Sequence, residues 1–237
     1  SSRKFEFVFR MFALGDNAVP ARGMEMIPRQ LASRLPGERL RTNARVQAIE
    51  DGGVVLSSGE TLRASAIVIA ADGAEAARLI ECIPAPAWNS VTCLYFVSDE
   101  PPVRKPVLVL NGTGKGLVNN LCVLSQVSPD YAPPGKSLIS VSVLRADPLA
   151  DRELVTGVIR QMQEWFGPSV SAWRHLRTYR IAHAIPAQPP EVLEPVERTC
   201  RIQPGVFVCG DHRHMASIHG AMVSGLKAAQ EVIHYLT

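Results

Sequence analysis

Apolar residues recur at helical spacing in three stretches of the chain. Met24, Ile27, Leu31 and Leu35 share one face of a helix over 24–35, which Pro36-Gly37 stops. Leu154, Val158, Met162 and Trp165–Phe166 form a stripe over 151–166, ended by Gly167-Pro168. Ala221, Val223, Leu226, Ala229, Ile233 and Leu236 mark an amphipathic helix over 218–236. Residues 73–81 read as a short helix. The Phe-rich stretch 3–14 fits either a helix packing its aromatics inward or a strand.

Between these helices the period changes to two. Residues 40–50 alternate, with Val46, Ala48 and Ile49 as inward positions. Asp51-Gly52-Gly53 is a hairpin signal, 54–57 runs back, Ser58-Gly59 turns, and 61–63 forms a third strand. The continuous apolar run Ala66-Ile-Val-Ile-Ala70 predicts a strand buried on both faces, as in a parallel sheet. Strands are also predicted over 90–97, 107–110, 117–127 and 137–144, separated by Gly/Pro/Asn turns, so the middle region reads as a mostly antiparallel sheet. Residues 173–183 are extended, and 184–204 read as a loop through Pro186, Pro189, Pro190, Pro195 and Pro204. Gly205-Val-Phe-Val-Cys-Gly210 is a buried strand entering a glycine turn.

Composition narrows the function. With 46% hydrophobic and 20% charged residues, the chain has an ordinary globular composition and can bury a sizeable core. A formal charge of +3, with scattered bases, gives no electrostatic footprint for nucleic acid. No apolar run reaches the roughly 18 residues that cross a bilayer, and the start has no signal-peptide pattern. Five cysteines without framework spacing point to a reducing, cytoplasmic compartment. The uncapped, leaderless start reads as the middle of a longer protein.

The chemistry concentrates near the end. Val206-Phe-Val-Cys-Gly-Asp211 delivers Asp211 to the carboxyl end of a buried strand, where open α/β sheets bind ligands. The helix that follows has small residues, Gly220 and Ala221, at its amino end. They would let a flat ligand approach the backbone, and the free N–H groups would favour an electron-rich edge. A plain strand–loop–helix with an N-cap aspartate would give the same pattern. Cys209, Asp211, His212, His214 and His219 lie within eleven positions, so a metal site on the histidines is a second reading, although C-x-x-H-x-H-x4-H matches no structural zinc pattern. Asn111-Gly-Thr-Gly-Lys-Gly116 lacks the third spaced glycine, and no Ser or Thr follows Lys115 as a Walker motif requires; it reads as a turn. Tyr179 and His183, alternate residues of one strand, share a face that could line a substrate cavity.

Four segments together resemble the flavoprotein family of amine oxidases, protoporphyrinogen oxidases and phytoene-desaturase-type enzymes. They are Gly23-Met24 with Ile27-Pro28 and Leu31-Ala32; the Val46…Ile49, hairpin, Ala66-Ile-Val-Ile-Ala-Ala71 block; Tyr179 to Pro186; and the closing Gly210-Asp211 with Gly220-Ala221 and Ser224-Gly225. The resemblance implies an α/β (α+β) fold: an incomplete FAD-binding, Rossmann-like domain (1–72 and 195–237) plus an inserted, mostly antiparallel substrate-side sheet with helices (73–194). It implies non-covalent FAD. Val46 would bond the adenine through its backbone, and Ala70 and Ala71 would lie near the dinucleotide. Asp211 would bind near the ribityl chain or pyrophosphate, and Gly220, Ala221 and Met222 would sit at the flavin's pyrimidine edge. His219, Tyr179 and His183 are the catalytic candidates. Lys105, Lys115 and Lys136 occupy the region where relatives place a lysine near the flavin. The family's opening G-x-G-x-x-G is not in the sequence, so the chain is expected to be a fragment needing an N-terminal FAD-binding segment, inactive alone, and acting when complete on a small or apolar organic substrate. A non-catalytic assembly module needing a partner subunit, and a metal-dependent enzyme using the histidines, are the alternatives.

Overall fold

The computed structural model describes residues 2–50, 52–144, 149–193 and 198–237, without the side chain of Glu38. Asp51 of the expected hairpin turn and Pro195 of the expected loop lie outside the described residues. The first elements are α1 (Ser2–Ala13), α2 (Met26–Ala32), β1 (Val46–Glu50), β2 (Gly53–Leu56), β3 (Thr61–Arg63), β4 (Ile67–Ile69) and α3 (Gly73–Leu79). Then come β5 (Trp88–Ser98), β6 (Leu108–Leu110), β7 (Val118–Val123), α4 (Leu124–Val127), β8 (Ser137–Val143) and α5 (Asp151–Phe166). The last are β9 (Arg174–Pro186), β10 (Arg201–Gln203), β11 (Val206–Val208) and α6 (Ile218–Leu236). The chain divides into two compact units, residues 1–14, 38–89 and 185–237 in the first, 15–37 and 90–184 in the second. Among the described residues no helix is long and apolar enough to cross a membrane.

The first unit holds two small sheets. In one, β1, β2 and β3 form an antiparallel meander with a register shift between Val46 and Ala48. The expected strand from residue 40 starts only at Val46, because Asn43 takes a left-handed φ of 56° that interrupts extended backbone. In the other, β10 pairs antiparallel with β11, and β11 runs parallel to β4 with Val206, Phe207 and Val208 opposite Ile67, Val68 and Ile69. All three residues of β11 are buried. β4 differs from expectation: Val68 is 43% exposed, because β4 is the edge strand and no described element covers that face. β10 lies inside the stretch read as a proline-rich loop.

Polar contacts brace this unit. Asp72 caps α3, its carboxylate accepting from the N–H groups of Ala74 and Glu75 at 2.9 and 3.1 Å. Arg78 of α3 donates to the carbonyls of Gln47 and Val46 at 2.8 and 2.7 Å and pairs with Glu75. Glu231 of α6 accepts from the N–H groups of Cys200 and Arg201, both at 3.0 Å. α1 resolves the helix-or-strand alternative as helix, but none of its residues is buried; Phe5, Phe9 and Phe12 are 71%, 65% and 58% exposed.

The second unit is a five-stranded sheet in the order β6-β7-β8-β5-β9 with α5 on one face. Alternation on β5 and β8 turns Leu94, Phe96, Ile139 and Val141 inward against Leu154, Val158 and Met162 of α5. Gln161 of α5 uses its side-chain oxygen to accept from Leu117 N and Val118 N at 2.7 and 2.9 Å and donates to Lys115 O. The strand expected over 117–127 stops at Val123, where 124–127 turn into α4; Ser125 then accepts from Leu138 N of β8. Tyr131 donates its hydroxyl to Pro20 O at 2.8 Å, holding the segment before α2.

Candidate functional site

Two short parallel strands bring residues 70–72 and 209–211 side by side at their carboxyl ends. Cys209 N donates to Ile69 O at 2.9 Å, continuing the pairing past β11. Gly210 then turns with φ 148°, and a Cβ there would stand 2.7 Å from the His212 ring and 3.4 Å from Ala71 O, so only glycine fits. Ser224 of α6 accepts from Gly210 N at 3.2 Å and fixes the turn. The turn presents Asp211, whose side chain is 32% exposed. His212 Nδ1 lies 3.9 Å from its carboxylate, and no donor among the described residues bonds it. Ala70 is exposed and Ala71 half-buried beside it.

α6 starts where the sequence reading put it, but the small residue Gly220 plays a different part from the one expected. The helix begins at Ile218, after Ser217, whose side chain caps it by accepting from Gly220 N at 2.9 Å. Gly220 is buried, and a Cβ there would come within 1.9 Å of Met215 O. Its smallness therefore lets the 215–217 loop fold back onto the helix, and its N–H is occupied. The first-turn donors that remain are those of Ile218 and His219, both exposed. Met222 is 51% exposed and Ala221 half-buried. The His219 ring lies 6.1 Å from that of Phe7. Val46, the expected adenine contact, has its carbonyl engaged by Arg78.

The histidine cluster does not converge: among the described residues no three His, Cys, Asp or Glu side chains gather as metal ligands. His212 is buried, and burial lowers its pKa. Cys209 is buried and its thiol pushed up by burial. The loop backbone carrying His214 is pinned by Gln188, which donates to His214 O at 2.7 Å and accepts from Ala216 N at 2.8 Å.

On the second unit, the sheet face opposite α5 carries a cavity of about 510 Å³. Tyr179 lines it with Cys93, Tyr95, Leu176 and Arg177. Tyr95 and Tyr179 meet edge to face at 5.8 Å, and the Arg177 guanidinium lies 5.0 Å over the Tyr179 ring. Burial, with Cys93 beside it, pushes the Tyr95 hydroxyl up to about 12. His183 is exposed and does not line this cavity. Lys105, Lys115 and Lys136 are exposed, Lys136 paired with Asp99 at 2.5 Å. The 111–116 segment is a closed turn: Asn111 Oδ1 accepts from Thr113 and Gly114, its Nδ2 donates to Lys115 O and Val118 O, and Gln161 fills the space beside Gly116. A cavity of about 310 Å³ in the first unit, lined by Ser65, Ile67, Gly205 and Val206 among others, opens at the amino ends of β4 and β11. That is the wrong end for the ligand of a parallel sheet.

The sequence model of the family "flavin containing amine oxidoreductase" matches residues 1–233. The chain belongs to this family. Several solved structures share its fold. A candidate protoporphyrinogen oxidase from Exiguobacterium sp. 255-15 superposes with a TM-score of 0.72 at 15% identity, over 92% of this chain and 52% of that one. Reduced UDP-galactopyranose mutase gives 0.71 at 15%, over 90% and 52%. Cyclohexylamine oxidase from Brevibacterium oxydans IH-35A gives 0.62 at 16%, over 88% and 51%. No curated protein sequence matches. The chain spans about half the length of the solved structures it matches. Its mixed fold with antiparallel sheets is that of the flavin amine oxidoreductases. In this amine oxidoreductase chain the sequence reading passed over Cys93, Tyr95 and Arg177. Strict alternation on β5, which buries Leu94 and Phe96, was the signal that turns Cys93 and Tyr95 to the other face.

Proposed function

We propose that the chain forms part of an FAD-dependent oxidoreductase in which the first unit contacts the cofactor and the second contacts a small or apolar organic substrate. The observation that carries the reading is the Asp211 carboxylate, at the carboxyl ends of β4 and β11 without a donor among the described residues. An open carboxylate there fits the hydroxyl-bearing ribityl chain, and the first-turn N–H groups of Ile218 and His219 fit an electron-rich ring edge better than Gly220 does. Ala70 and Ala71 border the same place. FAD, when bound non-covalently, supplies the acceptor for a hydride equivalent from substrate. The pyrophosphate cradle comes from a G-x-G-x-x-G segment that these 237 residues do not contain. Tyr95, Tyr179 and Arg177 offer the substrate an aromatic wall with one cation, and five free cysteines suit a cytoplasmic protein.

The test is flavin retention by the protein that carries residues 1–237, purified with added FAD. Asp211→Ala is expected to weaken FAD binding about tenfold or more, the loss of a charged hydrogen bond. A colourless wild-type protein, or equal flavin affinity in the variant, would reject the reading.

A further inference from the structure

Another cavity of the first unit, about 240 Å³, is walled by residues from 83–87 and 187–192 and closed by Arg198, His212 and Arg213. Its walls are apolar: Ile83, Pro84, Pro86 and Val192 face it. His212 is only 9% exposed, yet among the described residues neither ring nitrogen has a hydrogen-bond partner. The fold makes room for that ring at two glycines, since a Cβ on Gly73 would stand 3.1 Å from it and one on Gly210 2.7 Å. Arg213 Nε is also buried without a partner, while its Nη2 donates to Thr199 O at 3.0 Å. Arg198 donates to Val192 O at 2.7 Å. Among the described residues neither arginine is paired with a carboxylate, and the two lie close together: burial first, then Arg198, lowers the Arg213 pKa. The groups acting on His212 are Asp211 and Asp72 on one sign and Arg213 and Arg198 on the other; neither acid lines the cavity.

Among the described residues, two like charges and an unbonded imidazole around one apolar cup form a site short of an acceptor. A buried donor without an acceptor is unfavourable, and guanidinium groups match oxyanions by paired N–H donation. The volume falls below the roughly 300–1,000 Å³ of a pocket for a whole drug-sized ligand, so it suits one group. None of Val46, Ala70, Ala71, Asp211, Gly220, Ala221 or Met222 lines it, which sets it apart from the proposed cofactor contacts. We propose that this cavity is a phosphate-sized oxyanion site, formed by Arg198, Arg213 and the His212 ring, for a ligand other than the flavin. Arg213 Nε and an N–H of His212 donate to the anion, and Arg198 supplies the second positive charge. The proposal goes beyond the flavin reading and stands without it.

Inorganic phosphate titrated into the full chain tests it, by calorimetry and by the 15N shifts of the histidine rings, with and without FAD. Saturable binding of one phosphate is expected, with a shift of the His212 nitrogens, weakened at least tenfold in Arg213→Gln and in Arg198→Gln. Among the described residues the Arg198 variant loses one loop carbonyl contact, so it keeps the test usable should Arg213→Gln misfold. Acetate run in parallel separates a carboxylate from a phosphate as the preferred group. No saturable binding, unchanged affinity in Arg198→Gln, or displacement of phosphate by FAD would overturn the proposal.

Discussion

In the second unit Leu94, Phe96, Leu121, Ile139 and Leu154 are wholly buried between one sheet and one helix, whereas in the first Phe5, Phe9, Leu226 and Ile233 stand 71%, 65%, 62% and 63% exposed. Both regions have amphipathic helices of strong periodicity. α5 sets its stripe against a sheet face of matching length, so its apolar period is spent on packing. α6 buries instead the small line Gly220, Ser224 and Ala228, which brings its backbone close to β10 and β11, and leaves Ile218, Met222, Leu226 and Ile233 facing outward. The first unit therefore depends on two small clusters, one around Ile69, Ala76 and Val208 and one of Cys200, Cys209 and Ala228, and on polar contacts between elements. Periodicity reveals that a helix has two faces; what covers the apolar one is a separate question.

Truncating one Phe in each unit gives the largest contrast. Phe96, packed on Trp173 and His175, should lose about 3–5 kcal/mol as Phe96→Ala. Phe9→Ala should change stability by no more than about 0.5 kcal/mol. Urea unfolding of both variants measures this, and comparable losses would erase the distinction. A smaller effect tests the reliance of the first unit on polar contacts. Glu231→Ala leaves the N–H groups of Cys200 and Arg201 without their acceptor and should cost about 1–3 kcal/mol, with hydrogen exchange accelerated at those two amides. Unchanged exchange would show that water replaces the carboxylate freely.

The smallest effect is a pH dependence confined to the first unit. Burial lowers the folded-state pKa of His212. Below about pH 6.5 the unfolded chain takes up the proton first, so it binds more protons than the folded one and stability falls as the pH falls. The contribution is intact above that pH and is lost towards the folded value. Asp211, Asp72, Arg213 and Arg198 act on the same ring, so His212→Gln should flatten the slope without abolishing acid sensitivity. An identical slope in the variant would assign the effect elsewhere.

Much of this architecture was legible before any coordinates. α5 was read at its observed end because Gly167-Pro168 stops it, and α6 was read from the apolar period of its own residues. The meander β1-β2-β3 followed from its glycine turns. The misreadings share a cause, in that local pattern cannot report what a neighbour does. Leu124–Val127 was read as the end of a strand but turns into α4, where Ser125 accepts from Leu138 N of β8. Residues 40–45 alternate but are broken at Asn43. Gly220 was read as room for a ligand, while the loop carbonyl of Met215 fills that room. Of the site, Asp211 was legible because strand, glycine and acid fall in a fixed order. Tyr95 was not singled out, since its contact with Tyr179 joins strands far apart in sequence, and Arg177, two residues before Tyr179 on β9, carries no motif of its own.

Arg78 reaches from α3 to two successive carbonyls at the irregular start of β1 while its other edge is held by Glu75. A planar fork grips both acceptors at once, and a lysine ammonium, a single point of charge, would grip one. The strand is bulged at that place, so its start rests on this fork together with the hydrogen bonds of Ser57 to Arg45 O. The guanidinium thus acts as a gauge pin. Without it the meander could start one residue early, and every side chain of β1 would trade its face.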